Sequence, residues 1–567
     1  MEFRRLLLAL SLSFIFIIVW QYFFMPSPIA VDNSTNDAKP VVAPNETISS
    51  NTQTNDVLVA NNSLSFESKN IDWNTSLNIK TQLMDLDLNN GGTSVQTMQV
   101  LEASQNDENQ FKHVGAWNKK TGNYDVDAPV KLLDSQQCNP CLLEGGQMVV
   151  FNVNAMQYQY NQNDGVHVVT NMNYAGIEKT TMINDTSYVI DHIFTGLNPT
   201  KTYNVVWSGG LEPSEHNIQE DLTWLSIFAE KENSYHSETI NDINEAFNYN
   251  NVGWVGLKTK YFIKAITNQK YQSNKNNSVE FQSNESKINP QSEFIYTDIN
   301  CNYGAGNEII HAYSYIGPID TKHLSDGRTE HLVQLFGFGW FVIGYLGQLI
   351  LWVLTSLYAV IPNYGIICIL FAFIIRVFTG PLTKQSFLSN QKMQKVQPKM
   401  KKIQEKYKDD QTKLSQATME LYKTEGVNPL GGCLPILVQM PLLIALFQVF
   451  RKTIEFRGAE FLPFWITDLS QPDVVLQIAF LNNIPGISYF FGHGIALLPI
   501  IMGVVMFLSM KMTATTSAEP SAKFAMYFMN AFFILLFNTF PSGLNLYYTV
   551  YNVLNFIQQK QLKKLQT

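Results

Sequence analysis

The chain has 567 residues, a formal charge of −8 and 46% hydrophobic residues. Its apolar content is gathered into a few long blocks and the rest is rich in Asn, Gln, Ser and Thr, which argues against one soluble domain and for a membrane-anchored protein of two parts. The acidic balance excludes a nucleic-acid footprint over the whole chain and conceals one strongly basic segment.

At the N-terminus Arg4 and Arg5 precede an apolar run from Leu6 to Met25 that is long enough to span a bilayer. A cleaved signal peptide would have a shorter run and a small-x-small site, and Pro28 breaks that pattern before Ala30. Residues 1–26 therefore read as an uncleaved anchor with its basic end in the cytoplasm. Residues 27–62 form a polar tether with too few large apolar residues for a core.

From residue 63 to 334, short β-rich runs recur between Gly, Asn and Asp clusters: Gln147 to Val153, Gly165 to Met172, Thr186 to Phe194 and Tyr203 to Gly209. This pattern predicts a large antiparallel sandwich on the outer side. Cys138, Asn139, Pro140 and Cys141 lie between turn residues and strands rather than opening a helix, so a local disulfide or unpaired thiols fit better than a redox-active pair.

Two apolar runs follow, Trp340 to Ile361 and Tyr364 to Phe378, with only Pro362 and Asn363 between them. The next segment, 384–426, holds ten lysines, among them Lys395, Lys399, Lys401, Lys402, Lys406 and Lys408, against Glu405, Asp409, Asp410, Glu420 and Glu425. Were both runs to cross, this basic segment would lie outside, against the positive-inside rule. Residues 335–361 are therefore assigned to an interfacial amphipathic helix with Trp340, Tyr345, Trp352 and Tyr358 as anchors. Within the basic segment, Met393, Val396, Met400, Ile403 and Tyr407 repeat at 3 and 4 residues, as do Leu414, Ala417 and Leu421, which predicts a helical hairpin with Pro398 kinking its first arm. Its lysines either solubilise the hairpin and set topology or dock it to a ribosome or targeting factor.

The second run sets Arg376 inside an apolar helix that ends at the Pro381–Lys384 break, with Thr379 and Thr383 on the same face. A charge at bilayer depth costs roughly 2.5–3.5 kcal/mol on insertion scales, so Arg376 faces a wet cavity or snorkels to the cytoplasmic headgroups. Three further spans are expected in residues 362–567 after Asn428 to Phe450: Gly494 to Met510, Phe524 to Phe540 and Leu544 to Ile557. The last carries Asn545, Tyr548, Thr549, Asn552 and Gln559 at helical intervals, a polar stripe that belongs inside a bundle. With Arg376, Thr379, Gln439 and Gln448 it forms either a wet groove or ordinary interhelical hydrogen bonds.

Ile374 to Lys384, Gln397 to Met400, Val427 to Pro441, the Phe540 to Gly543 turn followed by Leu546 to Asn552, and the closing Ile557 to Lys560 resemble the YidC-type membrane protein insertases in their large Gram-negative form. In the outer domain Trp254 to Ile266 and Tyr315 to Pro318 share the resemblance. It implies an α-helical bundle of six spans, a periplasmic β-supersandwich, an interfacial helix, a cytoplasmic hairpin, and both termini in the cytoplasm of a bacterial inner-membrane protein. It also implies a groove open to cytoplasm and lipid, centred on Arg376, with Tyr548 contacting the passing segment. Met440, Leu443, Leu536 and Ser542 match other groove or exit positions. Ala372 departs from a position that can carry a hydroxyl, and Asn538 and Asn545 add polarity nearby.

The expected function is therefore insertion and folding of nascent membrane proteins, alone or with the Sec translocon, with the lipid bilayer as a second partner and no specific nucleic acid, cofactor or metal. No nucleoside-triphosphate loop, metal-ligand cluster or nucleophile–base pair is read in the sequence, so no enzymatic activity is expected. Two other classes are weighed: a small-anion transporter, which would need internal repeats, and an intramembrane enzyme using Ser542 or Cys433, which lacks an evident base.

Overall fold

The computed structural model describes residues 76–89, 94–102, 112–118, 123–134, 138–216, 221, 224–231, 234–239, 246–250, 253–268, 278–284, 296–303, 305–324, 328–335, 337–338, 341–408, 410–427, 434–478, 494–513 and 520–564. The expected anchor (1–26) and tether (27–62), Trp340, Cys433 and residues 482–493 lie outside them. The chain divides into a β-rich unit and a helical unit, the first ending at Leu332 and the second taking most of the remainder.

The β-rich unit is antiparallel throughout its pairings. One sheet has nine strands, in the order Ser234–Thr239, Ser226–Lys231, Trp254–Lys258, Phe262–Asn268, Ile310–Pro318, Val189–Thr195, Glu178–Asn184, Val166–Met172 and Gln157–Asn161. A second has six, running from Ala246–Asn250 through Ser278–Asn284, Tyr296–Tyr303, Tyr203–Trp207 and Cys141–Glu144 to Gln147–Met148. A four-stranded sheet precedes them in sequence, built from Leu77–Lys80, Met84–Asn89, Ser94–Val100 and Lys131–Asp134.

Alternation decides which residues go inside. Phe194, Ile227, Val255, Leu257, Ile266 and Ala312 of the nine-stranded sheet share one buried cluster with Leu142, Tyr203, Val205, Trp207, Ile299 and Cys301 of the six-stranded one, which makes the pair a sandwich. Three of the four runs read as strands are found where expected, whereas Gln147 to Val153 pairs only at Gln147–Met148 and turns into a 3-10 helix at Val153–Ala155. Two of the buried lysines, Lys179 and Lys264, reach across the apolar core. Lys179 Nζ donates to Pro140 O at 3.1 Å, and Lys264 Nζ donates to Asn139 Oδ1, Ser208 O and Gly209 O at 2.7, 3.1 and 2.8 Å. Both reach the loop closed by the Cys138–Cys141 disulfide, the first of the two alternatives left by the sequence. Burial pushes the Lys179 amine down to about 7.

The helical unit contains α1 (Phe341–Tyr358), α2 (Tyr364–Lys406), α3 (Gln411–Thr424), α4 (Leu434–Lys452), α5 (Leu497–Thr513), α6 (Pro520–Phe537) and α7 (Ser542–Lys564). Asn363 starts α2, its side chain accepting from Ile366 N–H at 3.0 Å, and Tyr358 stacks on Tyr364 across the turn. α2 runs unbroken through both Pro381 and Pro398, so the expected stop at Pro381–Lys384 is a correction: the helix that carries Arg376 also carries the first basic lysines. A Pro removes one backbone bond of a helix without necessarily ending it. Gln558 Nε2 of α7 donates to Gly380 O at 3.3 Å, tying α7 to α2 beside Pro381.

α2 is long and apolar enough to cross a bilayer, with a mean hydropathy of 2.2 over its best 18 residues, and Val342–Tyr358, Leu497–Met512 and Tyr527–Phe537 are shorter apolar helices. On one side α2 leaves Val377 and Phe378 74% and 78% exposed, while Phe371, Ala372 and Arg376 are buried on the other. α3 folds back along the end of α2, held by Lys399–Glu425 at 2.6 Å and by Thr418 Oγ1 to Met400 Sδ at 3.7 Å. Its first turn is closed by Asp410 accepting from Lys413 N–H. Before α5, the strands Val474–Gln477 and Gly494–Ala496 pair, and Asp473 Oδ2 accepts from Leu497 and Leu498 N–H at the start of that helix.

Candidate functional site

The site grows from two helical stripes that face each other. On α2 the residues at i, i+3 and i+7 are Arg376, Thr379 and Thr383; on α7 the residues at i, i+4 and i+7 are Tyr551, Asn555 and Gln558. The guanidinium of Arg376, 8% exposed, lies between them. Its Nη2 donates to Asn555 Oδ1 at 3.0 Å and to Gln558 Oε1, its Nη1 donates to Thr383 Oγ1 at 3.3 Å, and its carbon sits 5.4 Å from the Tyr551 ring centroid. Thr379 Oγ1 returns to Ile375 O at 2.9 Å and meets the Tyr551 hydroxyl at 3.1 Å.

Every one of these partners is neutral. Among the described residues no carboxylate forms an ion pair with Arg376, so a full positive charge is held in a buried place by amides, a hydroxyl and an aromatic face. Such a charge keeps a strong preference for an anion that can approach it.

Around this pair the other expected groove residues fall into two classes. Gln439, Met440 and Leu443 on α4, Leu536 on α6 and Asn552 on α7 are half-buried, and Asn552 Nδ2 donates back to Tyr548 O at 2.8 Å. Tyr548 is buried, edge-on to Phe537 at 5.5 Å and to Tyr547 at 4.9 Å. Ser542 and Asn545 differ from expectation: both are 0% exposed and line no groove. Ser542 Oγ donates to Asp468 O, while Asn545 Nδ2 donates to Phe537 O at 3.0 Å and Phe540 O at 3.1 Å. Asn545 thus serves carbonyls at the end of α6 and in the turn after it, where a helix end leaves acceptors free, and Ser542 ties that turn to Asp468. Asn538 is likewise structural, exchanging hydrogen bonds with Ala496 N–H and Gly494 O. Gly543 must be a glycine for the same packing, since a Cβ there would meet the Phe450 ring at 2.7 Å.

Tyr551, Asn555 and Gln558 are absent from the sequence-based site. The polar positions Asn545, Tyr548, Asn552 and Gln559 follow the same helical period on the neighbouring face, so period alone does not choose between them. Amide count does not choose either, since Asn545, Asn552 and Gln559 put three amides on that neighbouring face. The lysines Lys395, Lys399, Lys401, Lys402, Lys406 and Lys408 are all exposed along the far end of α2 and beyond it.

Two family profiles match the chain: the YidC periplasmic domain over residues 76–353 and the 60Kd inner membrane protein over residues 356–567. A membrane protein insertase YidC of Chlorobium limicola is 34% identical over 378 residues, covering 63% of this chain and 60% of that one. Its namesake in Chlorobaculum tepidum is 32% identical over 394 residues, covering 68% and 65%. The matched stretch thus spans about 60% of the length of such relatives. A solved structure, described as an active YidC insertase with the first transmembrane domain resolved, aligns over 97% of this chain and 98% of its own at 16% identity and a TM-score of 0.33.

Proposed function

The chain belongs to the YidC family of inner-membrane proteins, and from that premise we propose that it inserts nascent membrane proteins by giving their polar flanks a hydrogen-bonding path along α2, α4, α6 and α7. The observation that carries the proposal is Arg376, buried between α2 and α7 with neutral partners alone. In hydrocarbon a polar tail must shed its hydration; along this face it exchanges water for Arg376, Thr379, Gln439, Asn552 and the Tyr548 edge, with Met440, Leu443 and Leu536 as the apolar wall. Arg376 draws acidic tails inward, and the exposed apolar side of α2 lets the following segment slide into lipid.

The driving force is transfer of apolar surface, roughly 25 cal/mol per Å², aided by the membrane potential acting on charged tails. No catalytic step or cofactor enters the scheme. In this arrangement the chain spans the membrane six times with both termini in the cytoplasm, α1 lies along the outer interface, and the end of α2 with α3 forms a cytoplasmic hairpin. Its exposed lysines dock a ribosome or targeting factor, and the Sec translocon is a partner for larger clients. The relatives are named insertases, and the small-anion transporter is set aside.

The test is reconstitution of the full chain into liposomes, followed by synthesis of a single-spanning client and protease protection of its translocated tail. Protection above the level of protein-free liposomes is expected. Client insertion no better than in empty liposomes would overturn the proposal.

A further inference from the structure

The hydrogen bonds around Arg376 constrain how an anion can reach it. A guanidinium takes a carboxylate two-pronged along one of two edges, Nη1 with Nη2 or Nε with Nη2, and both edges use a hydrogen of Nη2. Nη2 has two hydrogens, and both are directed at amide oxygens, Asn555 Oδ1 and Gln558 Oε1. Any two-pronged carboxylate must therefore displace one of them. The amides are held in place from behind: Gln558 Nε2 donates to Gly380 O at 3.3 Å, and Asn555 Oδ1 also accepts from Gln559 Nε2 at 3.4 Å.

We propose that Asn555 and Gln558 form a neutral clasp on Arg376 that a client carboxylate must exchange, so that these two residues set how acidic a tail has to be before the groove engages it. The inference rests on the insertase reading and concerns the regulation of the same site. Exchange of an amide for a carboxylate is favourable because it replaces an ion–dipole contact by a two-pronged ion pair between opposite charges. A tail amide or hydroxyl exchanges like for like and gains nothing. The clasp lowers the engaged fraction for every tail, and only tails with surplus affinity overcome that reduction. Thr383 and the Tyr551 ring stay in place during the exchange, so the guanidinium remains positioned.

The experiment measures insertion into liposomes of one single-spanning client whose short translocated tail carries no, one or several aspartates. With the unaltered chain, insertion rises with the number of aspartates. In the double variant Asn555→Leu, Gln558→Leu the neutral and singly acidic tails gain about tenfold, the equivalent of one hydrogen bond to a charged group, while the most acidic tail gains least. Gln558→Glu moves the curve the other way, since a resident carboxylate competes with the client, and the singly acidic tail falls by about tenfold. Opposite shifts in the two variants are the signature, because amides that merely support the fold would depress every tail in both. Parallel loss in both variants overturns the clasp while leaving the insertase reading intact; an unaltered chain that inserts none of the tails overturns that reading itself.

Discussion

Arg376 shows what a single residue asks of its surroundings. Its charge is buried with no carboxylate paired to it among the described residues and is satisfied by four neutral groups from two helices. The α2 half of that arrangement, Arg376 with Thr379 and Thr383, is legible in the sequence because an arginine in an apolar run demands a polar face. The α7 half is not, because two adjacent faces of that helix carry polar residues at the same period and only packing selects between them. Ser542 and Asn545 show the converse: a side chain that caps backbone carbonyls looks in sequence like one that lines a groove. Asn545→Ala is accordingly expected to cost about 1–3 kcal/mol through two abandoned carbonyl acceptors, read as a lower melting temperature, with no dependence on client charge among the chains that fold.

Lys179 makes a second prediction at the same scale. Its amine is pushed down to about 7 by burial, against 10.5 for an exposed lysine. Below about pH 7 folded and unfolded chains both hold the proton, and the full burden of a buried charge weighs on the fold. Between that value and 10.5 the unfolded chain binds the additional proton, so stability rises with pH by on the order of 1.4 kcal/mol per unit. Lys179→Met is expected to flatten the rise and to raise the melting temperature at neutral pH, measured by thermal unfolding of the full chain across that pH range. An unaltered slope in the variant would assign the effect to another group.

Among the elements, α2 joins the proposed groove to the basic segment. It runs from Tyr364 to Lys406 without a stop, so the arginine and the basic end share one continuous helix. The sequence suggests otherwise, since Pro381 signals a break, whereas a proline removes one backbone bond of a helix and does not have to end it. Strand assignment succeeds at Val166–Met172, although its inward positions include His167 and Asn171, and fails at Val149–Val153, which leaves the strand and enters a 3-10 turn. The packing of α3 on the end of α2 rests on a narrow seam, Met393, Val396, Met400 and Ile403 on one side and Leu414, Ala417 and Leu421 on the other, none of them exposed. Protease added to the cytoplasmic face of oriented vesicles is therefore expected to cut near Lys408, at the turn between the two helices. Cleavage there only from the outer face would reverse the proposed topology.

At the scale of the whole molecule, a sheet sandwich and a helical unit are joined in one chain, and the split between amide-rich and apolar sequence announces both. The sandwich's polar interior is less visible, because Lys179 and Lys264 occupy inward positions that alternation alone would give to apolar residues. In the proposed function the helical unit does the insertion, a buried positive charge drawing acidic tails into the bilayer. The direct measurement is insertion of clients that differ only in tail charge, by Arg376→Ala and Arg376→Lys chains reconstituted at equal amounts. Arg376→Ala should lose acidic-tailed clients and largely spare neutral ones; Arg376→Lys, which keeps the charge but not the fork, should retain an intermediate activity towards acidic tails. Equal insertion of acidic and neutral clients by the Ala chain would contradict the account.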